Sequence, residues 1–583
     1  YGSGVVSYEI IPGLMVQGRL NIDYASSKSD GRVYATTWYP TFMHDYGLYS
    51  RGNSTSTDWY VDAMASYNKT FNEIYSVSAS SGWVGHTSSS NSESQYVKSS
   101  YYPPLTSNSL PTLVNYFHPD AYWWTMGHGI SYGKSKDWNQ GWFITGQVGY
   151  NDMVYLEGSY RIDWYRAFRQ FSDRGTPDHY GYWSIGANTL VHRYVKLPDV
   201  ITHLKLRASY SEVGNSIPNQ VYASATRNLV NGALTSSPYG YFDNPLPEKQ
   251  KSFEIGYDIS LFNSNLNWDM TYYNTNLTNS YFLAATTGGK SKPVNTGSIR
   301  NQGFETTVSY NIMASKDFMW RTGINLSYND NKILKTFKDE QGNPSKMEQL
   351  IAEGSIAVRY EEGASYGDMY GLDFRRNDDG TIYIDPALGV PIKDTTKFIY
   401  LGNMNSKWNL GWSNTLRWKD LSLYFLISGR IGGKFISLTE AYLDHAGTSQ
   451  RSADARLRAE REGIYWTSTS GVQKPGMYVD GVVVPVKEYY EMVGGQVMPS
   501  EYIYDATNFR LSELSISYTM RNLFKGVIKG ITLSAVGRNL FFIYKKAPSD
   551  PDIALSTKNG LGAFDIFNMP SARSYGINLK IEF

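Results

Sequence analysis

Hydrophobic and polar residues alternate along much of this chain, in runs of roughly eight to eleven residues. In Leu14–Tyr24 and Val154–Asp163 the even-numbered positions are mostly apolar, whereas the odd-numbered positions are mostly polar. Successive side chains of a β-strand point to opposite faces, so each run predicts a two-sided strand. Similar runs occupy Trp59–Tyr67, Leu204–Tyr210, Phe253–Ser260, Leu266–Tyr273, Phe304–Ile312, Trp320–Tyr328, Leu410–Trp418, Leu421–Ser428, Leu514–Tyr518, Ile531–Gly537 and Tyr575–Phe583. This criterion predicts about sixteen strands.

The segments between these runs alternate in length. Short connections occupy 68–74, 151–152, 261–265, 313–319 and 419–420. Long connections occupy 25–58, 84–141, 211–252, 274–303, 329–408, 429–510 and 538–574. Short turns at one end and long loops at the other are typical of a membrane-spanning antiparallel β-barrel, with the long loops outside the cell.

The polar faces of the runs indicate a barrel lumen. Glu157 and Arg161 in one run, and Lys205 and Arg207 in another, would be costly to bury in a dry core. Aromatic residues lie near the run ends, as membrane-interface girdles require. The last run presents Tyr575, Ile577, Leu579, Ile581 and Phe583 on one face. It has the form of a signal read by the barrel assembly machinery, which predicts outer-membrane lipid as the surroundings.

The amino-acid composition excludes several classes of protein. The 54 Lys+Arg and 53 Asp+Glu residues leave a formal charge of +1, which argues against a nucleic-acid partner because that needs a clustered basic excess. No stretch approaches the roughly 18 apolar residues of a membrane helix, which excludes a helical membrane protein. Cysteine is absent, so disulfides, thiolate metal sites and cysteine nucleophiles are excluded.

No catalytic constellation is visible, and we expect the chain to be neither an enzyme nor a carrier of a metal or cofactor. The eight histidines form no zinc-type pair. His86, His118 and His128 share one predicted connection but lack ligand spacing. The segment Asn377–Gly380 resembles a calcium loop faintly, although a tight Asp-Gly turn explains it better.

Aromatic residues crowd two of the predicted connections. Aromatic faces stack on sugars and cover apolar peptide side chains, and ligand pockets are often aromatic-lined. Such residues also pack loops or line protein interfaces, and that alternative stays open. The candidate substrate-binding residues are Tyr101, Tyr102, Tyr116, Phe117, Tyr122, Trp123, Trp124, Tyr465 and Trp466.

Five strings resemble the SusC-type TonB-dependent transporters of the Bacteroidetes, also called the SusC/RagA-like family. They are LKLRASYSEVGN at 204–215, NTGSIRNQGFE at 295–305, DATNFRLSELSISY at 505–518, SAVGRNLF at 534–541 and MPSARSYGINLKIEF at 569–583. Their order and spacing follow the C-terminal half of that family. The resemblance covers nearly the whole chain from about residue 13 onward.

The resemblance implies an all-β fold, namely part of a 22-stranded transmembrane antiparallel barrel in the outer membrane of a Gram-negative, Bacteroidetes-like cell. It implies import of an oligosaccharide or peptide nutrient, driven by the TonB complex. It also implies a SusD-type surface lipoprotein as a partner, and a dimer of transporter–lipoprotein pairs. The family's N-terminal plug and TonB-contacting segment are not visible, so residues 1–583 are expected to be the C-terminal part of the barrel, without the plug and first strands.

Three other functions compete with this interpretation. A passive outer-membrane porin would have a closed barrel without a plug. A secreted β-rich glycoside hydrolase would need two carboxylates facing each other across a cleft. A soluble lectin-like sandwich would expose no lipid-facing apolar belt. The five strings speak against the porin, and the alternating connection lengths speak against the secreted hydrolase and the sandwich, so the importer is favoured.

Overall fold

The computed structural model describes residues 1–34, 48–98, 127–169, 171–172, 176–217, 228–230, 233–235, 245–285, 291–338, 347–352, 354–523, 528–553 and 561–582. These residues form two compact units. The first contains Tyr1–Gly186 with 212–223 and 243–247, and the second contains most of the remainder to Phe583. Long antiparallel strands dominate both units, which confirms the predicted all-β class.

The first unit is a meander in which each strand pairs with the next. Its strands are β1 (Gly2–Ile11), β2 (Leu14–Val33), β3 (Leu48–Phe71), β4 (Tyr75–Lys98), β5 (Gly127–Tyr150) and β6 (Val154–Tyr165), followed by helix α1 (Arg166–Arg169) and the start of β7 (His179–Leu190). Antiparallel pairing is continuous from β1 to β6. At the predicted short connection 151–152, Asn151 and Asp152 adopt φ of 50° and 52°, the left-handed conformation that tight hairpin turns require.

The second unit has a sheet of the same kind. After a 3-10 turn at Val191–Arg193, its strands begin with β8 (Ile201–Asn215), β9 (Asn228–Val230), β10 (Ala233–Thr235), β11 (Glu248–Leu261), β12 (Leu266–Ala285), β13 (Ser291–Ala314) and β14 (Phe318–Lys335). They continue, after smaller elements, with β19 (Trp408–Trp418), β20 (Leu421–Ile431), β26 (Asn508–Leu523), β27 (Ile528–Lys545) and β29 (Ser574–Glu582). Pairing runs in order from β11 through β14, β19, β20, β26 and β27 to β29.

The smaller elements lie within three long connections of the second unit. Between β14 and β19 they are β15 (Met347–Ile351), β16 (Ile356–Tyr360), β17 (Asp368–Phe374) and β18 (Lys393–Asn403). Between β20 and β26 they are β21 (Lys434–Ser437), α2 (Leu438–His445), α3 (Gln450–Glu462), β22 (Tyr465–Thr467), β23 (Gln473–Val479), β24 (Val482–Pro485), α4 (Val486–Gly495), α5 (Pro499–Tyr502) and β25 (Ile503–Asp505). Between β27 and β29 lies β28 (Phe564–Asp565).

The structure corrects several sequence-predicted boundaries. The described residues of the predicted connections 25–58 and 84–141 are almost all strand, because β2 to β5 continue far beyond the alternating runs. Those extensions are rich in Ser, Thr and Asn on both faces, so no hydrophobic period marks them. Strands β1 and β7 were not predicted. In both strands apolar or aromatic residues occur on both faces, which obscures the alternation.

Candidate functional site

The sheet of the second unit has one apolar and one polar face. Ile516, Ala535 and Ile577 lie side by side on adjacent strands of the apolar face. Ile516 is 49% exposed and Ile577 is 82% exposed. A continuous exposed apolar surface of this kind marks a membrane or partner contact.

The polar face of the second unit carries paired charges. Arg207 on β8 lies 2.8 Å from the Asp269 carboxylate and donates to the Thr271 hydroxyl at 2.6 Å, both on β12. A Cβ at Gly256 on β11 would lie 3.0 Å from Nε of Arg207, so glycine leaves room for the guanidinium. These groups line one wall as the predicted lumen requires.

The first unit repeats this arrangement with two further pairs. Arg19 donates to Asp62 at 2.9 Å, and Arg161 contacts Asp163 at 2.8 Å. Both carboxylates are almost completely buried. A Cβ at Gly141 would lie 2.2 Å from Oδ1 of Asp163, so a larger residue there would displace the pair.

Three long connections of the second unit fold together into one body, here called the cap: the described residues of 336–407, 432–507 and 546–573. They follow β14, β20 and β27, each of which is the second strand of an antiparallel hairpin. All three connections therefore begin at the same end of the sheet. Strand β21 pairs with β25 of its own connection and with β28 of the next. Ile356, Ile436 and Phe564, one from each connection, are fully buried in a shared core. The cap is therefore a packed structure and not a set of separate loops.

Helix packing inside the cap depends on one glycine. A Cβ at Gly494 of α4 would lie 2.3 Å from the Ala441 carbonyl oxygen of α2. Ser437 is the N-cap of helix α2, because its hydroxyl accepts from the Glu440 amide at 3.3 Å. Gly463 caps the C-terminus of helix α3 in the left-handed conformation, with φ of 67°, as glycines often do.

A charged network is buried in the cap. Asp444 at the end of α2 accepts from Nε of Arg451 at 2.8 Å and from the Tyr502 hydroxyl at 2.8 Å. The Arg451 guanidinium lies 3.7 Å from Glu501 and 5.5 Å from the Tyr490 ring. Burial raises the pKa of the Glu501 carboxyl, and the nearby Arg451 opposes that shift only in part. The network ties α2, α3 and α5 together.

A polar cavity of about 230 Å³ lies where the cap meets the polar face. We call it the amide cavity, because five of its nine lining residues are asparagines. They are Asn301, Asn329, Asn331, Asn403 and Asn405, together with Ser365, Tyr366, Ser406 and Lys407. Asn301 and Asn331 are direct cross-strand partners on β13 and β14.

Hydrogen bonds fix the orientation of several of these amides. Asn331 donates to Asn301 at 2.7 Å and accepts from the Tyr366 backbone amide at 2.8 Å. Asn403 and Asn405 both donate to the Tyr366 carbonyl oxygen, at 3.2 and 2.8 Å. A Cβ at Gly367, whose φ is 96°, would lie 2.7 Å from the Asn405 amide nitrogen. Sequence reasoning missed this cavity, because its residues come from separate segments and share no spacing.

The structure describes only two of the predicted substrate-binding aromatics. Tyr101, Tyr102, Tyr116, Phe117, Tyr122, Trp123 and Trp124 lie outside the described residues. Tyr465 and Trp466 are consecutive in β22, so they point to opposite faces of that strand. Tyr465 is 46% exposed. Trp466 is half-buried, packs beside Gly389 and lies 5.9 Å from Nζ of Lys474.

The remaining candidates fall as follows. Tyr575, Ile577, Leu579 and Ile581 form the exposed apolar face of β29, and Phe583 lies outside the described residues. Asn377–Gly380 forms a turn in which the Gly380 amide donates to the Asn377 carbonyl at 2.9 Å. His86 lies on β4, 3.8 Å from Asp58. Within the described ranges, no group of three or more His, Asp or Glu side chains is arranged to hold a metal ion.

Comparison with known proteins identifies the fold. A family profile described as "TonB dependent receptor-like, beta-barrel" matches residues 8–425. The chain belongs to the TonB-dependent receptor family. Because barrels of this family are outer-membrane proteins, the apolar face is the membrane side and the polar face is the lumen side. Among the described residues, no helix is long and apolar enough to span a membrane.

Named relatives agree with this assignment and with the predicted SusC resemblance. TonB-dependent receptor P3 of Formosa agariphila is 24% identical over 448 residues, which cover 69% of this chain and 42% of that protein. TonB-dependent receptor SusC of Bacteroides thetaiotaomicron is 21% identical over 429 residues, covering 69% of this chain and 39% of SusC. The chain therefore spans about two-fifths of the length of these TonB-dependent receptors.

Solved structures show the same fold. The RagAB peptide importer in its "open-open" state matches 100% of this chain and 60% of that chain, with a TM-score of 0.73 at 17% identity. Its "closed-closed" state matches 99% of this chain and 61% of that chain, with a TM-score of 0.70 at 17% identity. At this identity the likeness establishes the barrel fold of a TonB-dependent receptor.

Proposed function

We propose that this chain forms the lumen wall and surface cap of an importer that moves an oligosaccharide or peptide nutrient across the outer membrane. The observation that carries the proposal is the position of the cap. Three connections share one core at a single end of the strands, and the amide cavity opens between that cap and the polar wall. Such an arrangement provides a place to hold a polar solute before it passes along the lumen.

The proposal includes an energy source and protein partners for the importer. The family membership supports drive by the TonB complex, and the SusC and RagAB likenesses support a SusD-type surface lipoprotein bound over the cap. A dimer of transporter–lipoprotein pairs is the assembly we expect. The exposed aromatic Tyr465, together with the predicted aromatics of 101–124, is proposed to contact substrate or this partner.

The proposed role requires no bond cleavage. The wall offers paired charges and amides, in the described residues, and we assign to it solute binding and passage. The charges are neutralised within pairs in each unit taken by itself: Arg19–Asp62 and Arg161–Asp163 in the first, and Arg207–Asp269 in the second. Because these charges are already paired, they do not hold a passing solute at one place. Passage along a pore requires binding that is weak enough to release the solute.

Two measurements on the full-length protein in its own host test this proposal. The first is affinity purification of the tagged transporter from outer membranes in mild detergent, followed by peptide mapping. We expect a surface lipoprotein to co-purify in stoichiometric amount. The second is growth of a deletion strain on a panel of oligosaccharides and oligopeptides, with the restored strain as control. The proposal would be contradicted if the deletion strain still grew on every nutrient of the panel and no lipoprotein co-purified.

A further inference from the structure

The amide cavity has a chemistry that selects among solutes. We propose that it binds one neutral sugar residue of the imported oligomer, and that it thereby sets a preference for oligosaccharides. This inference rests on the proposed import function and narrows its substrate class. It assigns substrate contact to Asn301 and Asn405, neither of which is among the predicted aromatics.

The first argument is the hydrogen-bonding capacity of the lining. Each asparagine amide offers two donors and one acceptor oxygen in one plane, and each sugar hydroxyl both donates and accepts. Within the described residues, the Asn301 amide nitrogen and the Asn405 amide oxygen have no hydrogen-bond partner, whereas the Asn301 oxygen and the Asn405 nitrogen do. One donor and one acceptor thus remain for a ligand in the same cavity.

The second argument is the absence of a free cation in the lining. Lys407 supplies the one ammonium group among the lining residues, and it donates to the Asp330 carboxylate at 2.6 Å. The Asp368 carboxylate nearby accepts from two neutral donors, Asn403 at 2.8 Å and Tyr400 at 3.2 Å. An anionic ligand would therefore find no free cation in the lining, whereas a neutral ligand needs none.

The third argument is the polarity and size of the cavity. All nine lining residues carry polar side chains, and none of them is aliphatic. The large apolar side chains that many peptides carry would therefore have only the Tyr366 ring to pack against, whereas ligand pockets for such groups are mainly hydrophobic. The volume of about 230 Å³ lies below the roughly 300–1,000 Å³ of drug-sized ligand sites. It therefore suits a single unit of a longer chain.

The fourth argument is preorganisation. Asn331 is held between Asn301 and the Tyr366 backbone, and Tyr273 on β12 reaches across β13 to donate to Asn329 on β14 at 3.0 Å. The amides are thus oriented before a ligand arrives. A preoriented site loses less conformational freedom on binding than a flexible one.

The test is ligand binding to the full-length transporter, purified with whatever partner accompanies it. The probes are neutral hexose and pentose oligosaccharides of matched length, and a mixed-sequence oligopeptide set, measured by titration calorimetry. The variants are Asn301→Asp, which keeps the oxygen that Asn331 needs but removes the unpartnered donor, and Asn405→Ala. The matched control is Asn325→Asp, which likewise adds a carboxylate to the polar face, but on the neighbouring strand β14 and outside the cavity.

We expect at least one oligosaccharide to bind, with affinity lowered about tenfold or more by each cavity variant and changed less than twofold by the control. Hydrogen exchange of the cap verifies that each variant is folded. Unchanged affinity in both variants overturns the inference, as does binding of the peptides alone. If wild-type cells show energised uptake but the purified cavity variants bind the oligosaccharide as tightly as wild type, only this inference fails. If wild-type uptake is not energised, the proposed function fails instead.

Discussion

The buried carboxylate of Asp444 and the guanidinium of Arg451 form the central ion pair of the cap, with Nε of Arg451 donating at 2.8 Å. Asp444 is fully buried, and Arg451 is about 30% exposed. Removing one partner of a buried pair leaves the other charge without compensation, which typically costs about 3–5 kcal/mol. The pair joins helix α2 to helix α3, so its loss should open the cap and not the barrel.

We therefore predict that Arg451→Met lowers the free energy of cap opening by about 3–5 kcal/mol. Native-state hydrogen exchange of the full-length protein, followed by mass spectrometry, measures opening of the cap segments separately from the barrel strands. The control is Lys487→Met, which removes an exposed pair with Glu491 at 3.6 Å and should change stability by less than about 1 kcal/mol. Equal effects of the two substitutions would contradict the account.

The pKa of Glu501 gives a prediction about pH. Because burial raises that pKa in the folded cap, the protonated form is favoured there. The group therefore contributes stability that is present below its unfolded pKa of about 4.3 and is lost as pH rises through the folded pKa. Glu501→Gln, which imitates the protonated form, should stabilise the cap at pH 7. The difference from wild type should shrink as pH falls toward 4. A variant that is less stable at neutral pH would show that pairing with Arg451 outweighs burial.

A substitution at Gly389 tests whether the Trp466 ring is fixed in position. The Gly389 φ of 72° lies in the left-handed region, and a Cβ there would lie 2.5 Å from the Trp466 ring. Gly389→Ala should therefore carry a conformational cost of about 1–2 kcal/mol plus displacement of the ring. Gly380→Ala is the control, since Gly380 has φ of 87° with open space around it. We expect a larger loss of melting temperature for Gly389→Ala. Matching losses would show that Trp466 moves aside freely.

The two faces of β19 can be separated by cysteine labelling. Asn409 and Leu410 are consecutive and lie on the polar and apolar faces, and the chain contains no cysteine. Asn409→Cys should react with a membrane-impermeant maleimide in outer membranes, because it faces the aqueous lumen. Leu410→Cys should stay unlabelled in lipid and become reactive after denaturation. Peptide mapping locates the label. The reverse pattern would mean that the sheet is turned the other way in the membrane.

The sequence predicted those strands whose two faces differ in polarity. The hairpin of β19 and β20, with its turn at Lys419–Asp420, falls where the alternation places it. Strand β7 was missed because Tyr180, Tyr182 and Trp183 put aromatic rings on both faces. The outer parts of β3 and β4 were missed because both faces are polar. A period-two signal arises only where the two faces of a strand meet surroundings of different polarity, as lipid and water are here.

The cap and its cavity could not be predicted in the same way. The cap core joins Ile356, Ile436 and Phe564, which are far apart in the chain and meet only in three dimensions. The cavity joins Asn301 on β13 with Asn405, which follows β18. No local spacing identifies such sets. The predicted aromatic contacts stay a prediction, because all but Tyr465 and Trp466 lie outside the described residues.

Energised uptake is the most direct test of the central claim, that this barrel imports nutrient actively. Cells carrying the full-length protein, and a deletion strain, are given a labelled oligosaccharide or oligopeptide from the panel, chosen because it supports growth, with and without a protonophore. We predict saturable uptake that needs the protein and stops when the proton gradient collapses. Uptake that rises linearly with concentration and ignores the protonophore would contradict the account and identify a passive channel.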